Sequence, residues 1–188
     1  MIDNLDLCYK ISLVFIFALI TLLLINKLLN RNENFAKLHK QKEDKKKVVK
    51  FVRVRVADDE QSTCIQVAQL AVYDEKNRNV ALNRPVQYHP DIWPTSRPEL
   101  ATDGTMSNRD FPYIFHDYPC TGNQNGNHME IELQDKTHVT RVTYYNRRDC
   151  CSDRATHLVV ELLDENRNLV AKEKIYSPGA MLDLFFNY

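Results

Sequence analysis

The feature that most constrains this chain is an apolar run near its start. Ile11 to Ile25 (ISLVFIFALITLLLI) is fifteen residues interrupted only by Ser12 and Thr21, and Leu28-Leu29 extend it to nineteen if Asn26 and Lys27 lie at an interface. At about 1.5 Å per residue the run spans roughly 28 Å, close to the hydrocarbon thickness of a bilayer. It reads as a transmembrane helix over residues 11–29, preceded by a short tail (1–10). A cleaved signal peptide has a comparable run, but no small-x-small site follows this one. A buried core helix is the remaining alternative.

Charge sets the orientation. The 188 residues carry 25 Lys+Arg and 25 Asp+Glu, so the chain as a whole is neither a basic nucleic-acid binder nor a polyanionic tail. The average hides three regions: residues 1–26 sum to −1, residues 27–50 to +6 and the remainder to −5. Lys and Arg beside a span stay on the cytoplasmic side, which predicts a single-pass protein with its C-terminal domain cytosolic. Residues 30–47 read as a basic juxtamembrane stalk. Lys45, Lys46, Lys47 and Lys50 are candidates for contact with anionic headgroups, against the plainer reading of a solvated stalk.

From Val48 the pattern changes to period two. Val52, Val54 and Val56 alternate with Arg53 and Arg55, which predicts a half-buried strand. Further β-rich runs follow at residues 64–73, 80–82, 128–133, 138–146, 156–163, 169–176 and 181–186. Residues 83–127 hold most of the seven Pro and the one Trp, Trp93, and read as long surface loops. Two similar strings, Tyr73–Val80 and Leu163–Leu169, read as hairpin connections, because Asp and Asn bond neighbouring amides and tolerate turn geometry. The expected fold for residues 48–188 is therefore all-β, an antiparallel β-sandwich or jelly roll, with helices only in the anchor and stalk.

The order of features in residues 51–188 resembles the discoidin-like, galactose-binding-domain-like sandwich of coagulation-factor C-type domains and fucolectins. The resemblance rests on Ile65–Asp74, Asn79–Leu82, Ala101–Gly104, Met129–Leu133 and Val139–Asn146, and most specifically on Asn146-Arg-Arg-Asp-Cys-Cys-Ser-Asp-Arg154. In the fucolectin branch two arginines bracketing adjacent cysteines bind a deoxysugar, which implies Arg147 and Arg154 as ligand-binding residues and a Cys150–Cys151 disulfide beside the sugar. Asp149 lies in the same string. The branch's third binder, a His after Cys-Thr, is replaced here by Gly122, leaving His116 and His128 as substitutes. Its calcium loop is matched only at Asp103, with Leu100 and Thr105 where the branch has Asn. Calcium is the one cofactor the resemblance suggests.

The residues themselves leave alternatives open. Arg147 and Arg154 could pair with Asp149 or Asp153 and merely hold the loop. Neighbouring Cα atoms lie about 3.8 Å apart, below the usual disulfide range of roughly 4.4–6.8 Å, and cytosolic cysteines are mostly thiols. Cys64 and Cys120 would pair only in an oxidising compartment, and spacing does not decide it. Cys8, beside the span, is a candidate for acylation. No Cys-x-x-Cys with partner histidines occurs, which argues against structural zinc.

Pairings such as His116-Asp117, His89-x-Asp91 and Cys120 with His116 place imidazole near an acid or thiol, but no nucleophile elbow, phosphate loop or metalloprotease motif accompanies them. The expectation is a non-enzymatic, membrane-anchored interaction module. Composition and plan are similar to those of virion proteins of large DNA viruses, which implies a structural protein tethering an internal membrane to a capsid shell, with the bilayer and capsid proteins as partners. The alternative is a fucose- or galactose-type lectin or adhesin. Neither expects nucleic acid.

Overall fold

The computed structural model describes residues 21–34, 47–60, 63–120 and 126–188. Contacts divide the chain into two units, Met1–Lys46 and Lys47–Tyr188. In the first, residues 21–34 are helical, and Leu22, Leu23, Leu24, Ile25, Leu28 and Leu29 are all more than half exposed. Among the described residues no helix is long and apolar enough to cross a membrane. Residues 1–20, with Cys8 and the first part of the expected span, lie outside the described residues, as do stalk residues 35–46 with Lys45 and Lys46.

The second unit is all-β and antiparallel. Its strands are β1 (Val49–Val56), β2 (Gln66–Val67), β3 (Gln69–Asp74), β4 (Val86–His89), β5 (Asp91–Ile92), β6 (Phe115–Tyr118), β7 (His128–Thr137), β8 (Val139–Tyr145), β9 (Leu158–Leu163), β10 (Leu169–Lys174) and β11 (Met181–Phe185). They form a five-stranded sheet, β10-β9-β1-β7-β4, a three-stranded sheet, β11-β8-β3, and a small third sheet, β2-β6-β5. Val52, Val54, Met129, Ile131, Val160 and Leu162 of the first sheet share one core with Leu70, Val72, Val142 and Tyr144 of the second. Two sheets thus bury their inner faces against each other, the arrangement that alternating strands need.

The period-two pattern of β1 has the expected result. Val52, Val54 and Val56 are fully buried, while Arg53 and Arg55 face the other way and meet acids of the neighbouring strands. Arg53 lies opposite Glu130 of β7 and Glu161 of β9. Its guanidinium bonds Glu130 at 2.6 and 3.0 Å, and Arg55 bonds Glu161 at 2.7 Å and Asp58 at 2.8 Å.

Both hairpin strings behave alike at their second residue, an aspartate. Asp164 Oδ1 accepts from the amides of Asn166 and Asn168, joining β9 to β10, and Asp74 Oδ1 accepts from those of Lys76 and Arg78. After the second turn the expected strand at 80–82 does not form. Asn79 Oδ1 accepts from both Val72 and Ala81 amides, so the chain bends into a turn ending at Asn83, whose φ is 56°. Leu82 then lies over Gly104, where a Cβ would stand 2.5 Å from Leu82 Cδ1 and where φ is +82°. The positive φ is what favours glycine, since the end of the half-exposed Leu82 side chain could swing aside.

Two further expectations are corrected. The 83–127 region is not only loop: it contributes β4, β5 and β6, short pieces whose pairing partners lie far away in sequence. Helical turns are also found outside the anchor and stalk, as the short 3-10 helices Pro98–Thr102 and Ser152–His157. The second of these carries Arg154.

Candidate ligand-binding site

The site is built where the third sheet meets the segment between β8 and the 3-10 helix Ser152–His157. Gln66 of β2 lies opposite His116 of β6. Asn146 pins the β8 end: its Nδ2 donates to Ser152 O at 2.9 Å, and its Oδ1 accepts the Arg147 amide at 2.8 Å. Arg148 N donates to Arg109 O at 3.0 Å, tying the segment to the preceding loop. Cys151 sits at φ 57°, a left-handed turn that reverses the chain before Arg154.

These constraints bring three donors to one oxygen. Gln66 Oε1 accepts from His116 Nε2 at 2.8 Å, from Arg154 Nη1 at 2.9 Å and from Arg147 Nη1 at 3.0 Å. This orientation of the amide is the one the donors require, since the reverse would turn an NH₂ toward two guanidinium groups. An amide oxygen has two lone pairs, so three donors oversubscribe it. The Gln66 side chain is buried, and the cluster is short of acceptors.

The charges are unequal as well. Asp149 takes Arg147 through two bonds of 2.6 Å, which hold its carboxyl down at about 2. Among the described residues no carboxylate pairs with Arg154, whose Nη1 also lies 3.3 Å from Cys64 Sγ. Burial, reinforced by the charges of Arg147 and Arg154, lowers the pKa of His116, while its bond to the Asp117 carbonyl opposes this. Beneath lies Asp117, fully buried, with Oδ1 accepting from Ile65 N at 2.8 Å and Oδ2 from Asn127 Nδ2 at 2.9 Å. Burial, only partly offset by these bonds, raises its carboxyl to about 6.

Aromatic rings wall the cluster. Trp93 stands 6.0 Å from His116, 5.2 Å from Tyr118 and 6.3 Å from Phe111, centroid to centroid. Phe111 contacts His116 at 5.6 Å and lies under the Arg147 guanidinium at 5.5 Å. Trp93 and Tyr118 are 40% and 46% exposed, leaving apolar faces beside the donors. Phe111 also lines a cleft of about 540 Å³, together with Leu100, Tyr113 and Arg148.

Cys150 and Cys151 are joined as a disulfide, and so are Cys64 and Cys120. Of the sequence-derived residues, His116, Arg147, Asp149 and Arg154 come together, with Cys150 and Cys151 in the same segment. His128 stands elsewhere, stacked on His89 at 5.8 Å. Asp103 is occupied by a cation of the chain itself: Arg109 Nη2 bonds both its oxygens at 2.7 and 2.6 Å, while Nη1 bonds Leu100 O at 2.6 Å. Burial tends to raise the Asp103 carboxyl, but the bonds from Arg109 and Thr105 prevail and lower it. Lys50 is on β1, with Nζ bonded to Leu133 O at 2.7 Å and Gln134 O at 3.0 Å. Lys47 begins the second unit, its carbonyl accepting from His138 at 3.2 Å.

The sequence reading missed Gln66, Trp93, Phe111 and Tyr118 as site residues. Gln66 and His116 stand fifty positions apart and meet only through strand pairing. For Trp93 the available signal was its position among Pro-rich loops.

Fold and site define an antiparallel all-β unit with a donor-rich, aromatic-walled loop site. The chain matches no known family model, no curated protein and no solved structure.

Proposed function

We propose that this chain is a non-enzymatic recognition module anchored in a membrane, and that its β unit binds a hydroxyl-bearing sugar of the fucose or galactose type. The observation that carries the reading is the convergence of His116, Arg147 and Arg154 on the single oxygen of Gln66. A sugar ring supplies what that cluster lacks: several acceptor oxygens at fixed spacing, on a body whose C–H face can rest on Trp93 or Tyr118. The five-stranded and three-stranded antiparallel sheets sharing one core support a discoidin-like assignment. Two disulfides in the β unit support an oxidising compartment for it, against the orientation that the basic flank favours.

The test is binding of the full-length chain, in a detergent without sugar headgroups, to immobilised fucose and galactose. Arg147→Ala should lose binding by tenfold or more. Equal retention by wild type and variant, or no retention of either sugar by the wild type, overturns the reading.

A second reading keeps the anchor and replaces the sugar with a protein. It makes the chain a tether between an internal membrane and a capsid or other shell, with the β unit on the cytosolic side, as a large DNA virus would use. The exposed leucines of the 21–34 helix followed by the basic segment favour it. Protease protection of the full chain in sealed membranes separates the two. Digestion of residues 51–188 from the cytosolic side supports the tether, and protection supports the lectin.

A further inference from the structure

Cys64, His116, Asp117 and Cys120 have ligand atoms that all lie within 4.8 Å of one another. We propose that when the Cys64–Cys120 disulfide is reduced, these four side chains form a zinc site. Tetrahedral zinc with Zn–S of about 2.3 Å and Zn–N or Zn–O of about 2.0–2.2 Å places its ligand atoms roughly 3.3–3.8 Å apart. The ligand atoms, all within 4.8 Å of one another, are within about 1 Å of that spacing. The two sulfurs must separate, and Cys120, two residues beyond β6, is partly exposed.

Each of the other ligands is already oriented. Asp117 is held through one lone pair on each oxygen, by Ile65 N and Asn127 Nδ2, leaving a second on each. His116 Nε2 donates to Gln66 Oε1 at 2.8 Å. A neutral imidazole has one ring proton for two acceptors, Gln66 Oε1 at Nε2 and the Asp117 carbonyl oxygen 2.8 Å from Nδ1, with the Asp117 carboxylate 4.0 Å from Nδ1. A cation at Nδ1 lets that proton stay on Nε2. Gln66 thereby does what second ligand partners do in metal sites, fixing the tautomer that leaves Nδ1 free.

The charge also balances. Two thiolates and one carboxylate around Zn²⁺ sum to −1, and the Arg154 guanidinium, 3.3 Å from Cys64 Sγ, supplies +1. The same guanidinium favours the thiolate form at Cys64. Reduction takes two electrons and two protons, the electrons coming from a thiol or phosphine reductant, and gives two thiols. Metal binding releases two protons as the thiols become thiolates. The site does not depend on sugar binding, and its failure would leave that reading untouched.

The experiment uses the full-length chain, reduced with a phosphine in metal-free buffer and titrated with Co²⁺ as an optical stand-in for zinc. The reduced chain should develop tetrahedral thiolate–cobalt absorption, saturating at one equivalent and abolished by one equivalent of Zn²⁺; the oxidised chain should develop none. The Cys150→Ser/Cys151→Ser double variant should behave like wild type. Asp117→Asn, which keeps the side chain's shape, should weaken zinc binding by at least tenfold. No absorption in the reduced wild type, a spectrum that survives Cys120→Ser, or unaltered affinity in Asp117→Asn would each overturn the proposal.

Discussion

Two pairs of arginines in the β unit look alike in sequence and differ in what surrounds them. Arg53 and Arg55 of β1 meet Glu130, Glu161 and Asp58 at 2.6–2.8 Å, so each guanidinium has a carboxylate to neutralise it. Arg147 has Asp149, but Arg154 has no carboxylate among the described residues, and both turn an Nη1 to one neutral oxygen. Glu130 accepts Arg167 as well as Arg53, which closes the network on the sheet. Where charges are matched within the fold they hold strands in register; where donors outnumber acceptors beside exposed rings, the proposed sugar would supply the acceptors the fold lacks.

The largest effect that would break this contrast concerns Glu130, whose side chain is 3% exposed. Glu130→Ala leaves Arg53 and Arg167 facing each other without an anion and should lower stability by about 3 kcal/mol, read from the urea unfolding midpoint, with sugar binding of the folded fraction unchanged. If binding falls and the midpoint holds, the two regions have been assigned the wrong way round.

Arg154→Ala is the complementary change. A hydrogen bond from a charged donor contributes about 1.5–3 kcal/mol, so sugar binding should fall roughly tenfold to a hundredfold. Because no carboxylate is stranded, the unfolding midpoint should shift by less than about 1 kcal/mol. A large loss of stability instead would make Arg154 a structural residue of the loop.

How much of this could be read from the sequence follows from the same contrast. Val52, Val54 and Val56 announced β1 because alternation is local, and Asp74 and Asp164 announced their turns because an Asx carboxylate bonds amides two and four residues on. The Arg147–Arg154 string was visible through its resemblance to the fucolectin pattern. Gln66 was not, since it acquires meaning only when β2 pairs with β6. The role of Asp103 was likewise hidden, because the guanidinium that occupies it comes from Arg109, six residues on, and only the path of the intervening loop turns it back onto the carboxylate. Matching of a charge is a tertiary property, so sequence marks where charges are and not whether the fold has already used them.

Asp117 sharpens the comparison from the acidic side: it is a buried carboxyl bonded by neutral donors. Its folded pKa of about 6 stands above its ordinary value of 3.8, so between those pH values the native state binds more protons than the unfolded one. Its contribution to stability is therefore greatest below about pH 4 and falls as pH rises to about 6. His116, with its pKa lowered, works in the opposite sense, losing stability as pH falls below its ordinary range. The difference between wild type and Asp117→Asn isolates the carboxyl: urea midpoints measured from pH 4 to 6 should fall in wild type relative to the variant. A parallel pair of curves would mean that Asp117 is already ionised across that range.

The smallest effect belongs to a pair that is as short as any of these. Arg97 and Glu99 meet at 2.6 Å, the same separation as Arg53 and Glu130, but their side chains are 54% and 57% exposed. The bond to Arg97 is the main cause lowering the Glu99 carboxyl, so the contact exists. Water solvates both groups nearly as well when they are apart, and salt screens what remains. A double-mutant cycle on Arg97 and Glu99 should give a coupling below about 0.5 kcal/mol, vanishing in high salt, while the Arg53–Glu130 cycle retains most of its coupling there. Equal couplings would show that distance alone sets the value of a charge pair in this protein, and the distinction between matched sheet and unmatched site would lose its physical basis.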